Sequence, residues 1–336
     1  MKIGVLCPSE IAFRRFMPAL QKQSDITYAG VAHANAEEWF GTPTESQLLA
    51  EHEKALRFQE AYGGQVYSSY ASLLADSGVD AVYVPLPPAL HYEWGNQVLQ
   101  AGKHLFMEKP FTTCPEDTKA LVALAEEKGL AIHENYMFLY HSQLDWIKAQ
   151  LAGGAIGELR LIRAAFGFPF RGANDFRYNK DLGGGALLDC GGYPIRLAAE
   201  LLGETARITS ARLNQGRGLD VDVYGSAVLE NAQGQTAQIS FGMDNSYKCE
   251  LELWGSTGYL HAGRIFTAPV GFAPTVTIQT QDGTIENVLP EDDSFLNSIC
   301  LFSSLVADPA LRATSNQKIV LQSTLVETTR KEGSPE

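Results

Sequence analysis

In the first part of the chain, short apolar, β-branched runs alternate with stretches whose apolar residues recur at helical spacing. This alternation predicts strands separated by single helices, and therefore right-handed βαβ units around a mostly parallel sheet. The predicted strands are 3–6, 26–32, 66–67, 80–85, 104–107 and 131–133. The predicted helices are 12–20, 45–62, 69–76, 89–101 and 115–128.

From residue 156 the pattern changes to long alternating runs, several of them joined only by turn residues. Such runs predict an antiparallel meander. Its predicted strands are 159–168, 206–213, 221–229, 236–243 and 249–254, with helices at 186–202 and 295–307. We therefore predict two domains: an α/β, Rossmann-type doubly wound domain at 1–130, and an α+β domain at 131–336. The second has a large, mostly antiparallel open sheet, whose free face predicts a homodimer or homotetramer.

Composition narrows the class of protein. The 336 residues fit two domains. Lys and Arg number 26 against 39 Asp and Glu, and the net charge of −13 argues against nucleic-acid partners and anionic membranes. No apolar run is long enough to span a bilayer, and the chain opens on a strand-like segment without a signal peptide.

The 5 cysteines are widely spaced and form no C-x-x-C pair, which argues against a disulfide framework or a zinc ribbon. We expect reduced thiols and a cytoplasmic location. Because no His, Cys and Asp residues show metal-ligand spacing, no metal is predicted.

Three motifs then follow in order. Glu-Lys-Pro at 108–110 follows a strand, Gly-Gly-Gly-Ala-Leu-Leu-Asp at 183–189 leads into a helix, and Trp-Gly-Ser-Thr-Gly-Tyr-Leu at 254–260 closes a strand. With Pro-Leu-Pro at 85–87 upstream, this set resembles the Gfo/Idh/MocA oxidoreductase family over nearly the whole chain. The segment 174–178 and the tyrosine at 193 are most similar to the glucose–fructose oxidoreductase and dihydrodiol dehydrogenase branch.

The resemblance implies an enzyme that moves a hydride between NAD or NADP and a sugar or sugar-derivative alcohol or carbonyl. It implies that Lys109 binds the nicotinamide ribose and the reacting oxygen, that Tyr193 exchanges the proton, and that Asp189 orients the substrate. Glu108 is expected to hold the loop beside the cofactor. Helix capping by Asp189 and simple packing by Tyr193 compete with these roles.

The expected cofactor loop departs from the family's G-x-G-x-x-A/G pattern. It consists of Cys7, Pro8, Ser9, Glu10, Ile11 and Ala12, and only Ala12 fits. Two interpretations stay open. In one, Ser9 offers its hydroxyl and N–H to a pyrophosphate at the helix start, beside Cys7, Glu10, Ile11 and Ala12. In the other, the segment is an ordinary βα turn.

Other candidates carry weaker signals. His33 occupies the strand-end position where an acid favours NAD, so it either contacts the ribose or is a surface histidine. Pro85 and Leu86 follow a strand, and His91 either contacts the cofactor or packs at a helix start. Arg177, with Tyr178 and Lys180, is a candidate basic wall for a charged sugar or a nucleotide sugar.

Two rival functions remain. One is a nucleotide-sugar dehydrogenase of surface-polysaccharide synthesis. The other is a non-catalytic protein that senses a sugar or dinucleotide on the same fold, and the glycine-poor loop motivates it. Residues 41–55 are expected to be an inserted, exposed helix.

Overall fold

The computed structural model describes residues 1–172, 174–216 and 218–334, which form two compact units. The first contains Met1–Asn135 and Phe295–Val320, and the second contains Tyr136–Ser294 and the residues from Leu321 onward. The predicted division at 130 differs from this in two respects, because residues 131–135 and residues 295–320 belong to the first unit. The second difference is the larger. The reason is an apolar helix whose Phe302 is fully buried and lies 5.2 Å from the ring of Phe106.

The first unit is built on a six-stranded sheet of order β3-β2-β1-β4-β5-β6, all of whose pairs are parallel. This is the doubly wound order in which the chain reverses direction beside β1, and it confirms the predicted Rossmann-type sheet. The strands are β1 Lys2–Val5, β2 Thr27–Ala32, β3 Gln65–Tyr67, β4 Ala81–Val84, β5 His104–Met107 and β6 Ile132–Glu134.

Its crossover helices follow the predicted alternation and are α1 Met17–Leu20, α2 Glu45–Tyr62, α3 Tyr70–Ala75, α4 His91–Gln100 and α5 Pro115–Glu127. A capping box between Thr44 and Gln47 starts α2. The predicted helix 12–20 is divided, because Ala12–Phe16 is a π-helical turn before α1. Pro18 has no N–H for the preceding turn, which accounts for the widening there.

The second unit carries an eight-stranded sheet of order β14-β13-β12-β11-β7-β10-β9-β8. All neighbouring pairs are antiparallel except β7 with β10, so the predicted mostly antiparallel sheet is confirmed. The strands are β7 Leu159–Gly167, β8 Arg207–Gln215, β9 Asp222–Glu230, β10 Thr236–Gly242, β11 Lys248–Gly255, β12 Gly258–Gly263, β13 Thr275–Thr280 and β14 Gly283–Val288.

Helices α6 Ser142–Ala152 and α7 Gly192–Leu202 lie wholly within the second unit. The apolar helix α7 packs on β7 and β10, where Ile162, Phe241 and their neighbours are buried. The predicted helix 186–202 begins with a second π-helical turn, Leu187–Gly191, and again a proline, Pro194, follows within the first residues of the α-helix. Both π-helical turns occur at predicted functional segments.

The chain ends in α8 Ser294–Ala307 and α9 Arg312–Gly333. Among the described residues, no single helix is long and apolar enough to cross a membrane, although these two helices together, bent by 113°, reach the required length and composition. Ile299 and Phe302 of α8 are fully buried in the protein. Short 3-10 helices are Pro88–Leu90, Met137–Tyr140, Phe176–Tyr178, Lys180–Leu182 and Pro309–Leu311.

Candidate active site

The cofactor loop connects β1 to a helix that starts at Glu10. Ser9 caps this start, since its Oγ accepts from the N–H of Ala12 at 3.3 Å and its carbonyl accepts from Phe13 at 3.0 Å. The first N–H groups of a helix have no helical acceptor, so those of Glu10 and Ile11 can serve a phosphate. Because Ser9 Oγ acts as an acceptor within the protein, its own O–H proton can point to that phosphate as well.

The remaining loop side chains are compatible with a dinucleotide. Glu10 is paired with Arg14 at 2.6 Å on the solvent side, so its charge is balanced. Burial, and then the charge of Glu51, raises the pKa of the Cys7 thiol to about 12, so Cys7 stays neutral. Ala12 is fully buried under the turn. The Ser9 N–H, which was expected to serve the pyrophosphate, instead donates to the carbonyl of Cys7 at 2.8 Å. The donors that fit a pyrophosphate are therefore the Ser9 hydroxyl and the N–H groups of Glu10 and Ile11.

His91 is not available to a cofactor, and this part of the prediction is wrong. It is fully buried, with Nδ1 2.7 Å from the carbonyl of Pro110 and Nε2 2.8 Å from that of Leu86. Burial lowers the pKa of His91 to about 4 against the raising effect of these carbonyls. The ring ties the segment Pro85–Leu86, which follows β4, to the loop after β5.

The Glu-Lys-Pro loop directly follows β5, and the Lys109–Pro110 peptide is cis. Glu108 Oε1 accepts from Tyr83 Oη at 2.6 Å and from Asn135 Nδ2 at 2.7 Å. Burial raises the pKa of Glu108 although both of these bonds and the nearby Lys109 lower it. Glu108 thus anchors the loop through its side chain, and Lys109 remains partly exposed at the carboxyl edge of the sheet.

A buried polar chain supports this loop from within the first unit. Asn135 Oδ1 accepts from Ser298 Oγ at 2.8 Å, and Ser298 Oγ lies 2.8 Å from His133 Nε2. Ser298 comes from α8, more than a hundred residues after the loop. Sequence analysis missed these residues because nothing in a local pattern indicates that α8 returns to this sheet.

In the second unit, neighbouring atoms of the protein leave no room for a Cβ at two residues of the turn Gly183–Gly185. A Cβ on Gly184 would lie 2.5 Å from the carbonyl oxygen of Arg177, and one on Gly185 would lie 2.5 Å from Asp222 Oδ1. Asp222 caps the following helix by accepting from the N–H of Leu187 at 2.7 Å. Asp222, and not Asp189, therefore caps this helix, and helix capping no longer competes with a catalytic role for Asp189.

Asp189 instead accepts a hydrogen bond from Arg177, whose Nε lies 2.9 Å from Asp189 Oδ2. The same guanidinium contacts Asp175 Oδ1 at 3.1 Å and stacks on the ring of Phe176. Burial lowers the pKa of Arg177, but the two aspartates raise it by more, so it lies above its ordinary value.

The predicted basic wall is therefore not formed. Arg177 already has two carboxylate partners, and Tyr178 Oη donates to the carbonyl of Met243 at 2.7 Å inside the protein. Lys180 is exposed. The guanidinium is bonded to Asp189 and Asp175 rather than standing free for a charged substrate.

Tyr193 lies one residue into α7 and is only 8% exposed. Its ring is surrounded by those of Tyr136, Phe138, Phe166 and Phe266, with centroid distances of 5.3, 5.8, 5.0 and 6.0 Å. Such an aromatic enclosure leaves the phenol few rotamers and lowers the local dielectric constant. It holds the Tyr193 hydroxyl in one place.

Residues missed by sequence analysis also fix the start of α7. Gln322 Nε2 of α9 donates to the carbonyl of Gly192 at 2.9 Å and to Tyr136 Oη at 3.3 Å. A Cβ on Gly192 would lie 2.0 Å from Tyr136 Oη, so glycine is required there. The structure thus places Asp189, Arg177 and Tyr193 together in the second unit, and the loop, His33, Pro85, Leu86, Glu108 and Lys109 in the first.

Among the described residues, no group of three or more His, Cys, Asp and Glu could hold a metal ion. Residues 14–136 match the model of the oxidoreductase family with an NAD-binding Rossmann fold. Residues 145–261 match the model of the GFO/IDH/MocA C-terminal domain. The first match begins just after the glycine-poor loop.

The chain is similar along its whole length to characterised reductases. A dTDP-3,4-didehydro-2,6-dideoxy-α-D-glucose 3-reductase of Actinomadura kijaniata is 39% identical, over 98% of this chain and 95% of the relative. A D-xylose 1-dehydrogenase (NADP⁺) of Haloferax volcanii is 29% identical over 91% of this chain and 89% of the relative. The crystal structure of KijD10, a 3-ketoreductase from Actinomadura kijaniata in complex with NADP and TDP-benzene, superposes with a TM-score of 0.91 at 39% identity, covering 99% of this chain and 98% of that one.

Proposed function

Because the chain belongs to the Gfo/Idh/MocA family of NAD(P)-dependent oxidoreductases acting on sugar derivatives, we propose that it reduces the 3-keto group of a nucleotide-linked deoxysugar with NADPH. The nucleotide-linked substrate is supported by the 39% identity to a dTDP-sugar 3-reductase. The choice of NADPH is supported by the NADP bound in the similar KijD10 structure. The carbonyl chemistry is supported by the enclosed Tyr193 and the Arg177-bound Asp189. Of these, the enclosure of the Tyr193 ring by four aromatic neighbours is the observation that carries the proposal.

Reduction of a ketone needs a hydride on carbon and a proton on oxygen. Bound NADPH supplies the hydride. Tyr193 donates the proton from a phenol whose ring is held by its aromatic neighbours, and an acid at neutral pH needs no prior deprotonation. Asp189 accepts a hydrogen bond from a substrate hydroxyl, in the orientation that Arg177 imposes on its carboxylate.

Lys109 serves the reaction from the end of β5. We assign its ammonium to the nicotinamide ribose and to the substrate oxygen, where a positive charge stabilises negative charge developing on that oxygen. The polar support of Glu108 by Tyr83 and Asn135 keeps the loop in one conformation.

The substrate class is tested by comparing a dTDP-linked 3-ketosugar with the same sugar free of nucleotide, following NADPH consumption. The proposal expects turnover of the linked sugar and a loss of about a hundredfold or more in kcat/KM for the free sugar, which lacks the remote binding energy. Equal kcat/KM for both would contradict the nucleotide-linked class.

Lys109→Ala then separates an enzyme from a binding protein. The expected kcat is lower by about two to four orders of magnitude. The matched control is Lys119→Ala, since Lys119 is exposed on α5 and far from the loop in sequence. Unchanged turnover in a folded Lys109→Ala protein would show that Lys109 takes no part in the reaction.

We further propose that the open face of the second sheet joins two copies of the chain. We define the open face by Arg163, Gln238, Glu252 and Trp254, which lie opposite the face that packs on α7. Trp254 is 51% exposed, and Arg163 is bonded to Gln238 and Glu252 across the strands. An exposed tryptophan on an ordered flat surface is typical of an interface.

Light scattering of the Trp254→Glu variant tests this assembly. The mass is expected to fall to that of one chain, whereas Leu311→Glu, a change at an exposed residue of the first unit, leaves it unchanged. A Trp254→Glu protein with the wild-type mass would contradict it. The five free thiols are consistent with a reducing compartment, and we propose the cytoplasm.

A further inference from the structure

Two arginines of the second unit each lie over an aromatic ring. The guanidinium carbon of Arg171 is 4.5 Å from the ring centroid of Phe168, and that of Arg264 is 4.8 Å from the ring centroid of Tyr247. Both arginines are exposed, and within the part of the chain that the structure describes neither is ion-paired with a carboxylate. Stacking on a ring restricts a guanidinium without using its N–H groups, so these donors are available to a ligand.

The two stacks lie next to each other at one end of the sheet. Phe168 directly follows β7, and Tyr247 directly precedes β11. The residues beside them, Gly167 and Lys248, are partners in the antiparallel register of these two strands. The positions of Phe168 and Tyr247 are therefore adjacent where the strands end.

Both rings also lie on one face of the sheet. Phe166 and Cys249 are register partners in β7 and β11, so their side chains share a face. The ring of Phe168 is 6.0 Å from that of Phe166. Tyr247 Oη and Cys249 Sγ lie 2.9 Å and 3.5 Å from the same hydroxyl, Thr267 Oγ1. The face that carries Phe166 therefore carries both stacks.

This face also carries the proposed proton donor. The ring of Phe166 lies 5.0 Å from that of Tyr193 and 6.0 Å from that of Phe168, so a single ring links Tyr193 to the ring under Arg171. In a nucleotide-linked sugar the diphosphate is attached to carbon 1, which belongs to the same sugar ring as carbon 3. Arginines that lie beside the proton donor, and not at it, match this arrangement.

The backbone of Arg264 supports a role for its side chain. Its φ of 54° is the only positive value for a non-glycine residue among those the structure describes. This left-handed conformation is costly for a residue with a Cβ, and such strain is concentrated at catalytic and ligand-binding sites. The strained backbone is therefore an observation, independent of the stacking, that points to a ligand.

We propose that Arg171 and Arg264 together bind the diphosphate of the nucleotide-linked substrate. This inference rests on the proposed function, which supplies that substrate. A guanidinium donates paired hydrogen bonds to phosphate oxygens, and two guanidinium groups match the two phosphates. Arg177 does not take this role, because it is bonded to Asp175 and Asp189. Since the chain has a net charge of −13, binding of a diphosphate needs local cations such as these.

The test is calorimetric titration of the full-length protein with dTDP and dTMP. We expect Arg171→Gln and Arg264→Gln each to weaken dTDP binding by about tenfold to a hundredfold, because each removes charge-assisted hydrogen bonds to phosphate. The loss for dTMP, which lacks the second phosphate, is expected to be smaller. The matched control is Arg160→Gln, at an exposed position of β7, which should leave dTDP affinity unchanged. Unchanged dTDP affinity in both variants would overturn the inference.

Arg264→Gly separates ligand binding from a structural role. Glycine adopts a positive φ without strain, and this relief offsets the greater freedom of the unfolded chain. The melting temperature is therefore expected to change little while dTDP affinity falls as it does in Arg264→Gln. A lower melting temperature with unchanged dTDP affinity would show that Arg264 serves only the fold. This variant also provides the test if Arg264→Gln does not fold.

Failure of the arginine site and failure of the proposed function give different results. Wild-type protein that binds dTDP, with variants that bind it equally well, contradicts the arginine site but leaves the reductase proposal standing. Wild-type protein that binds NADPH but not dTDP, and that reduces a free 3-ketosugar as fast as the linked one, contradicts the nucleotide-linked substrate itself.

Discussion

Arg177 donates from Nε to Oδ2 of Asp189 at 2.9 Å while its Nη1 is held 3.1 Å from Asp175. The Asp189 side chain is 11% exposed, so this bond fixes a mostly buried carboxylate. We infer that Arg177 is a positioning residue, which acts through Asp189, and not a residue that binds the substrate.

Arg177→Gln should therefore lower kcat by about tenfold to a hundredfold while KM changes little, because a misoriented Asp189 costs alignment in the transition state. Steady-state kinetics on the folded variant measure this split. The control is Arg160→Gln, at an exposed position near the start of β7. A large rise in KM with kcat preserved would contradict this inference and would support a direct contact between Arg177 and the substrate, as the sequence suggested.

Tyr193→Phe removes the proton donor but keeps the ring that packs among Tyr136, Phe138, Phe166 and Phe266. We expect kcat to fall by about two to four orders of magnitude with NADPH affinity and thermal stability unchanged. Tyr259→Phe is the matched control, since its hydroxyl bonds Gln279 on the sheet surface. Turnover close to the wild-type value would exclude Tyr193 as the acid.

Gly192→Ala tests the contact that fixes the start of α7. The new methyl group would lie 2.0 Å from Tyr136 Oη, so a buried ring must shift, at a cost of about 1–3 kcal/mol in the free energy of unfolding. Adding Tyr136→Phe removes the clashing oxygen and should recover part of the loss. Gly263→Ala, where nothing lies within 4 Å, is the control, and an equal effect there would refute the argument.

The buried His91 predicts a loss of stability in acid. Its pKa is lowered by burial to about 4, against an ordinary value of 6.5, so between these pH values the unfolded chain binds more protons than the folded one. The free energy of unfolding should fall by up to about 3 kcal/mol as the pH drops through this window. Urea unfolding of wild type and His91→Gln at several pH values measures it. The variant, although less stable overall, should lack this fall in the free energy of unfolding. A pH dependence identical to that of wild type would show that His91 does not cause it.

The sequence predicted most elements that carry a regular apolar pattern, although it missed α6, β12 and β13, which also carry one. It also missed elements without such a pattern. In α9 the residues buried at intervals of three or four include Asn316, Gln322 and Thr329 beside Ile319 and Leu325. Polar residues at core positions hide the helical period. In β14 most side chains are exposed, so no alternation marks the strand. Both elements are defined by long-range partners.

The same limit applies to the candidate site. Lys109, Asp189 and Tyr193 stand in motifs and are visible in the sequence. The partners that orient them are not, because Ser298 reaches Asn135 from a distant helix and Gln322 reaches Gly192 from another. Arg177 was visible, but only the fold of the glycine turn shows that it faces Asp189. For the glycine-poor loop the sequence left two interpretations open, and the structure adds that Ser9 caps the helix start while the N–H groups of Glu10 and Ile11 lie at its first turn.

Transfer of deuterium from NADPH that carries deuterium at both C4 positions of the nicotinamide tests the central claim most directly. The labelled cofactor is incubated with enzyme and a dTDP-linked 3-ketosugar, and the product is analysed by mass spectrometry and NMR. We predict one deuterium, bound to carbon 3 of the sugar in one configuration, in the product of wild type, and the same product formed about two to four orders of magnitude more slowly by Tyr193→Phe. Deuterium at another carbon, or an unlabelled reduced product, would contradict it.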